Sequence, residues 1–119
     1  MAITISLGAF GAHALKDRLA LLENTDIFQT AVRYQAWQAL GLILLGALTM
    51  APARAKTGRV VGWLLLVGSL LFSGSLYLLA LEPSAKWAGP ITPLGGLLMI
   101  LGWLSFACGA AGGTSAKKD

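Results

Sequence analysis

Charge is scarce in this sequence: nine basic and five acidic residues make up 12 % of 119, where an ordinary soluble domain carries about 25 %. Groups that do chemistry are scarcer still. With one histidine, His13, neither bis-histidine haem ligation nor a three-histidine metal site can be built within a single chain. With one cysteine, Cys108, no intrachain disulfide can form, and its place inside an apolar run suits a small packing residue. The sequence holds no CxxC, no Ser/His/Asp set, no paired-carboxylate motif and no glycine-rich phosphate loop. Neither an enzyme nor a bound cofactor or metal is expected.

What fills the space is apolar, at 56 % of residues. Between Arg33 and Arg54 lie 20 uncharged residues, between Arg59 and Glu82 lie 22, and between Lys86 and Lys117 lie 30. Each exceeds the roughly 18 that mark a membrane-spanning helix. As helix, 22 residues reach about 33 Å, close to the hydrocarbon thickness of a bilayer. The expectation is an all-α integral membrane protein, one domain over 1–119. The net charge of +4 does not call for nucleic acid, because the basic residues flank the apolar runs and three of them crowd the segment 51–59 with no acid beside them. That bias places the segment on the cytoplasmic side, together with the Lys117–Lys118 tail, and with the amino terminus as well when the first helix crosses.

Along the chain, residues 1–15 are uncharged but make only about 22 Å of helix, so a short first membrane helix is expected. Leu15, Leu19 and Leu22 recur at helical spacing between charges, which predicts an interfacial amphipathic helix over 15–23. Asp26 with Gln29 resembles a capping box, predicting a helix from about 27 to 50. A basic turn at 51–59 leads to a helix over 60–81, and Pro83 and Pro90 bound the opposite turn, near which Tyr77 and Trp87 suit the headgroup zone. The last helix covers 91–111, and 112–119 forms a polar tail.

Within these helices the small residues Gly95, Gly102 and Gly109 recur every seven positions, with Ser105 on a neighbouring track, and Ser69 and Ser73 give the preceding helix a small face. Such faces let helix backbones approach closely and point to packing or self-association. Gln35 and Gln38 share a face of the second long helix, and Gln38 falls near mid-bilayer, where an amide needs a partner; Ser69 or Ser73 is the expected one. His13, Tyr34, Gln38, Ser73, Ser75 and Thr92 lie at comparable depth and constitute a candidate polar cluster, with Arg33 either snorkelling to headgroups or pairing with Asp17, Glu23 or Asp26.

Four blocks carry a resemblance: GAFGAHAL at 8–15, TAVRYQ from 30, LFSGSLYLLAL at 71–81 and ITPLGG at 91–96, reaching Gly102 and Trp103. In this combination and order they closely resemble the small bacterial membrane protein family called domain of unknown function 423, related to eukaryotic transmembrane protein 256. The resemblance implies a four-helix inner-membrane protein and supplies no activity. It also implies two departures, since members commonly carry a longer first helix and often a histidine where this chain has Gln38. An amide hydrogen-bonds but does not change charge.

Together these readings give a four-helix transmembrane bundle in a bacterial inner membrane, associated with lipid and acting as a structural or accessory component, either as a homo-oligomer or beside a larger membrane complex. The alternative is a small-solute or proton transporter or channel using the polar cluster in the outer half of the bundle.

Overall fold

The computed structural model describes residues 1–112, so the expected polar tail, with Lys117 and Lys118, lies outside the described residues apart from its first glycine. Every regular element described is helical: α1 (Ala2–Ala12), α2 (Lys16–Leu21), α3 (Thr25–Leu48), α4 (Pro52–Leu81), a 3-10 turn (Lys86–Ala88) and α5 (Ile91–Gly112). Two stretches have the length and hydropathy of a membrane span, Arg54–Leu81 at a mean hydropathy of 2.1 and Lys86–Gly109 at 1.8. The first half of α3 carries Asp26, Gln29, Arg33, Gln35 and Gln38, which dilutes its apolar character. α1 has 11 residues, about 16 Å of helix, short of a crossing.

The helices do not close into the expected bundle. α4 packs along α3 on one side and along α5 on the other, and α1 packs on α3. The backbones of α3 and α5 do not come together, nor does that of α1 with α4 or α5, among the described residues, and α3 meets α5 through the Trp103 indole over Gly41. The order across the array is therefore α1, α3, α4, α5, a single row one helix thick. Side chains that would fill the centre of a closed bundle instead form two clusters along the α4 seams. Leu45, Val61, Leu65 and Met99 make one, flanked by Leu42, Phe72, Trp103 and Phe106. Leu19, Phe28 and Ala80 make the other, where α2 tucks its one buried leucine against the ends of α3 and α4.

The element boundaries follow local chemistry. α4 starts at Pro52, not Val60, because proline is preformed for the first helical position and the Ala, Arg and Lys residues after it are good helix formers. The basic residues Arg54, Lys56 and Arg59 thus sit on the first turns of a 30-residue helix, about 45 Å long, which exceeds the roughly 30 Å of a hydrocarbon core. Thr49 ends α3 by turning its hydroxyl back to the Leu45 carbonyl at 2.7 Å. At the far end Glu82 is extended ahead of Pro83, as the residue before a proline is pushed to be.

α2 ends in a Schellman motif. The Glu23 N–H donates to the Ala20 carbonyl and the Asn24 N–H to the Leu19 carbonyl, with Glu23 at φ 55°, the left-handed position that usually takes glycine. The capping box expected of Asp26 and Gln29 does not form, since α3 begins at Thr25 with Asn24 before it and no side-chain cap. Asn24 is engaged elsewhere. Its Nδ2 donates to the Ala80 carbonyl at 3.2 Å, and Arg18 Nη2 donates to the Leu81 carbonyl at 2.9 Å. The segment after α1 therefore caps the carboxyl end of α4, satisfying carbonyls that have no partner within that helix.

Candidate functional site

The polar residues inside the array fall along its seams. On the α3–α4 seam the Tyr77 hydroxyl donates to Gln35 Oε1 at 2.6 Å, and Ser73 Oγ donates to the Ala31 carbonyl at 3.0 Å. Tyr77 also packs on Phe28, with ring centres 5.1 Å apart and the rings tilted by 59°. On the α4–α5 seam Ser75 Oγ lies 2.7 Å from Thr92 Oγ1 and 2.9 Å from the Phe72 carbonyl. Ser75 has one proton, so when it donates to that carbonyl Thr92 donates to it. The Tyr77, Ser73 and Thr92 contacts tie neighbouring helices together, while the Ser75–Phe72 bond lies within α4.

Gln38 does not make the bond expected of it. Ser73 spends its proton on the Ala31 backbone, and Ser69 is buried at 8 % exposure on α4. Three residues on from Gln35, Gln38 is offset from it by about 60° around α3, and its Oε1 is buried with no hydrogen-bond partner. It lines a groove of ≈ 470 Å³ with Tyr34 on the same face of α3, Phe72 on α4, and Met99, Ile100 and Trp103 on α5. Tyr34 also packs on Trp37 and Phe72, with ring centres 5.3 and 4.9 Å away.

The candidate polar cluster is thus distributed. Gln38 and Tyr34 line the groove, Ser73 belongs to one seam, Ser75 and Thr92 belong to the other, and His13 ends α1 on an exposed surface beside Ser6 and Phe10. Arg33 is exposed and borders a separate cavity of ≈ 310 Å³ that includes Gly8, Gly11 and Gln29 on the α1–α3 seam. The row architecture is the reason, because residues at one depth but on different seams have helix between them.

The glycine track packs on α4, with Gly95 and Gly102 buried there and Gly109 exposed. A Cβ at Gly95 would stand 2.7 Å from the Gly68 carbonyl oxygen, one at Gly102 would stand 2.8 Å from Leu65 Cδ2, and one at Gly109 would meet Thr57 at 3.0 Å. All three glycines face α4. Ser105 is exposed and does not join the track. Cys108 is likewise exposed rather than packed inside.

Outside the spans, the Ser84 hydroxyl donates to the Glu82 carboxylate and the Ser84 N–H adds a second bond, holding this exposed carboxyl below its ordinary range. Among the described residues no three His, Cys, Asp or Glu side chains come together as a metal site. Sequence reasoning missed Tyr77, Asn24 and Arg18 as partners. The available signal was modest: an amide and a phenol on adjoining antiparallel helices, and donors just after a short helix that must fold back.

A model of the family described as protein of unknown function (DUF423) matches residues 7–96. The UPF0382 membrane protein of Staphylococcus haemolyticus is 42 % identical over 102 residues, covering 86 % of this chain and 80 % of that protein. Bacillus subtilis YwdK, also a UPF0382 membrane protein, is 35 % identical over 108 residues, covering 91 % and 86 %. The UPF0382 inner membrane protein YgdD of Escherichia coli is 39 % identical over 114 residues, covering 91 % and 80 %. No solved structure matches the chain.

Proposed function

Because the chain belongs to the DUF423 family of small membrane proteins, we propose that it is a multi-pass inner-membrane component without catalytic activity, acting by packing against lipid and other membrane protein. One observation carries this reading. α4, flanked by α3 and α5, still leaves a large apolar face uncovered, with Trp63 at 60 % and Leu70 at 63 % exposure. In a closed bundle the central surface is consumed internally, whereas here it is offered to whatever lies beside the array. α3 and α5 also expose large apolar side chains, among them Ile43, Leu44, Leu97 and Leu101.

In the proposed orientation α3, α4 and α5 cross the membrane. The Arg54, Lys56 and Arg59 end of α4 faces the cytoplasm together with the end of α5, and the Glu82–Pro90 turn faces outward. The amino terminus shares the cytoplasmic side only in a chain whose first helix crosses completely. Gly95 and Gly102 are engaged with α4, and the uncovered α4 face supplies a further motive for a neighbour. The transport reading receives no support from the geometry, since its six residues are split among separate seams and surfaces.

Gentle extraction from the native membrane, native sizing and mass spectrometry of the co-migrating species test the proposal. A discrete complex with stoichiometric partners is expected, and Trp63→Ala with Leu70→Ala should deplete them. A lone protomer surrounded only by lipid, unchanged by those substitutions, would count against the accessory role. Labelling Ser84→Cys and Thr57→Cys with an impermeant maleimide, in a Cys108→Ala background, checks the orientation.

A further inference from the structure

The cavity of ≈ 310 Å³ on the α1–α3 seam has two walls that differ in kind. α1 contributes Gly8, Gly11 and Ala12, so its wall is nearly bare backbone, and a Cβ at Gly11 would run into the Phe28 ring. The α3 wall is polar. Thr25, Gln29 and Arg33 line it at intervals of four residues, which sets them on one stripe of the helix over about 12 Å. Arg33 is the only charged residue among those lining the cavity, and Asp17, Glu23 and Asp26, the carboxylates expected as its partners, are not among them. The lining is therefore cationic.

The same stripe continues past the cavity. Trp37, Leu40 and Leu44 follow Arg33 at i+4, i+7 and i+11, and all three are large, apolar and more than half exposed. From its start onward, one face of α3 thus offers a hydroxyl and an amide, then a guanidinium, then about 16 Å of apolar surface. A phospholipid has that order. Its headgroup leads to a phosphate and then to acyl chains, and 16 Å is close to half of a hydrocarbon core of roughly 30 Å, the reach of one leaflet. The correspondence rests on the proposed crossing of the membrane by α3. An acyl chain alone would leave the guanidinium without an anion at membrane depth, and a soluble phosphate ester would leave the apolar stripe unused. With no carboxylate in the lining, an ammonium headgroup gains nothing there, whereas headgroup hydroxyls can bond to the Gln29 amide and the Thr25 hydroxyl.

We infer that the α1–α3 cavity and the stripe beyond it form a binding site for an anionic phospholipid, with its phosphate on Arg33, its headgroup hydroxyls toward Gln29 and Thr25, and an acyl chain along Trp37, Leu40 and Leu44. The planar guanidinium fork matches two phosphate oxygens at once. Only binding is assigned, with no change in the ligand.

Trp37 supplies the reporter, in a chain with Trp63, Trp87 and Trp103 changed to Phe and held in phosphatidylcholine bilayers. Bromine on an acyl chain quenches an adjacent indole, so acyl-brominated phosphatidylglycerol and acyl-brominated phosphatidylcholine compare two headgroups on one tail. Phosphatidylglycerol should quench Trp37 with an apparent affinity about fivefold or more above that of phosphatidylcholine. Arg33→Gln should erase the preference and Arg33→Lys should restore part of it. Lys86→Gln removes an exposed cation outside the cavity and should leave the preference intact. A chain keeping Trp63 alone, on the uncovered face of α4, should show no preference. Soluble glycerol phosphate in large excess should not reverse the quenching, because it lacks the tail. The unsubstituted chain gives an independent reading, since native mass spectrometry from mixed micelles should retain phosphatidylglycerol over phosphatidylcholine and Arg33→Gln should lose it. Equal quenching by the two lipids, a preference that survives Arg33→Gln or falls equally with Lys86→Gln, or reversal by glycerol phosphate would each overturn the assignment. A Trp37 that neither lipid reaches would do the same by placing protein on the stripe, and would leave the accessory role standing. An intact lipid preference in a chain that extracts without partners would sink the accessory role alone.

Discussion

Gly95→Ala is the substitution that most directly interrogates how α4 and α5 meet. The added carbon would lie 2.7 Å from the Gly68 carbonyl oxygen and 2.9 Å from Phe72 Cα, where ordinary contacts run from 3.4 to 4 Å. Both obstacles are backbone, so no rotamer relieves them and α5 must withdraw by roughly an ångström along this stretch. A gap of that size forfeits a quarter to a half of each contact it opens, and overpacking of this kind costs about 1–3 kcal/mol. Against this stands the gain from replacing a helical glycine, about 1 kcal/mol. Gly74→Ala on α4 isolates that gain, because nothing lies within 4 Å of the site. The expected outcome is that Gly74→Ala is neutral or stabilising by up to about 1 kcal/mol, whereas Gly95→Ala is less stable than Gly74→Ala by about 1–3 kcal/mol. Reversible unfolding in dodecylmaltoside micelles titrated with sodium dodecyl sulfate, followed by far-ultraviolet circular dichroism, measures the difference. Equal stabilities would refute the direct apposition of Gly68 and Gly95.

Other predictions concern single contacts. Tyr77→Phe removes the donor to Gln35 and should cost about 1 kcal/mol, with a coupling of roughly 0.6 kcal/mol in a double-mutant cycle with Gln35→Leu; an additive cycle would show the bond to be idle. Glu23→Gly relieves a left-handed residue and should raise stability by about 1 kcal/mol, whereas Glu23→Val should lower it, both read by the same titration. The carboxyl of Glu82 is depressed when folded, so its contribution is complete above the unfolded-state pKa and is lost as pH falls through the lower folded value. Ser84→Ala should return its carbon-13 titration midpoint upward, and an unmoved midpoint would remove Ser84 as the cause.

How much of this was legible depends on range in sequence. α5 is readable because its glycines repeat on one face, and α4 is readable because 22 uncharged residues leave few other options. Its early start at Pro52 was missed by treating three basic residues as a loop signal, although membrane helices commonly carry such residues beyond the hydrocarbon. The contacts that define the array are not periodic at all. Arg18 with Leu81, Asn24 with Ala80 and Gln35 with Tyr77 each join positions 42 to 63 residues apart, and neither partner looks unusual alone. Depth was recoverable by counting residues along each helix. Which seam a residue faces was not, because that requires the order of helices across the row. Gln38 shows the consequence: its depth suited Ser69 and Ser73, but its rotation around α3 carries it to the groove side.

That distinction bears on how a row of helices can work. In a closed bundle, polar residues at matching depth converge on one interior, and a path or pocket follows from counting alone. A row has no interior, and each seam satisfies its own polar groups with its nearest neighbour, as Ser73 does with Ala31 and Thr92 does with Ser75. A polar atom left over in such an array is exceptional, since a seam would normally have absorbed it. Gln38 Oε1 is such an atom, buried without a hydrogen-bond partner among the described residues.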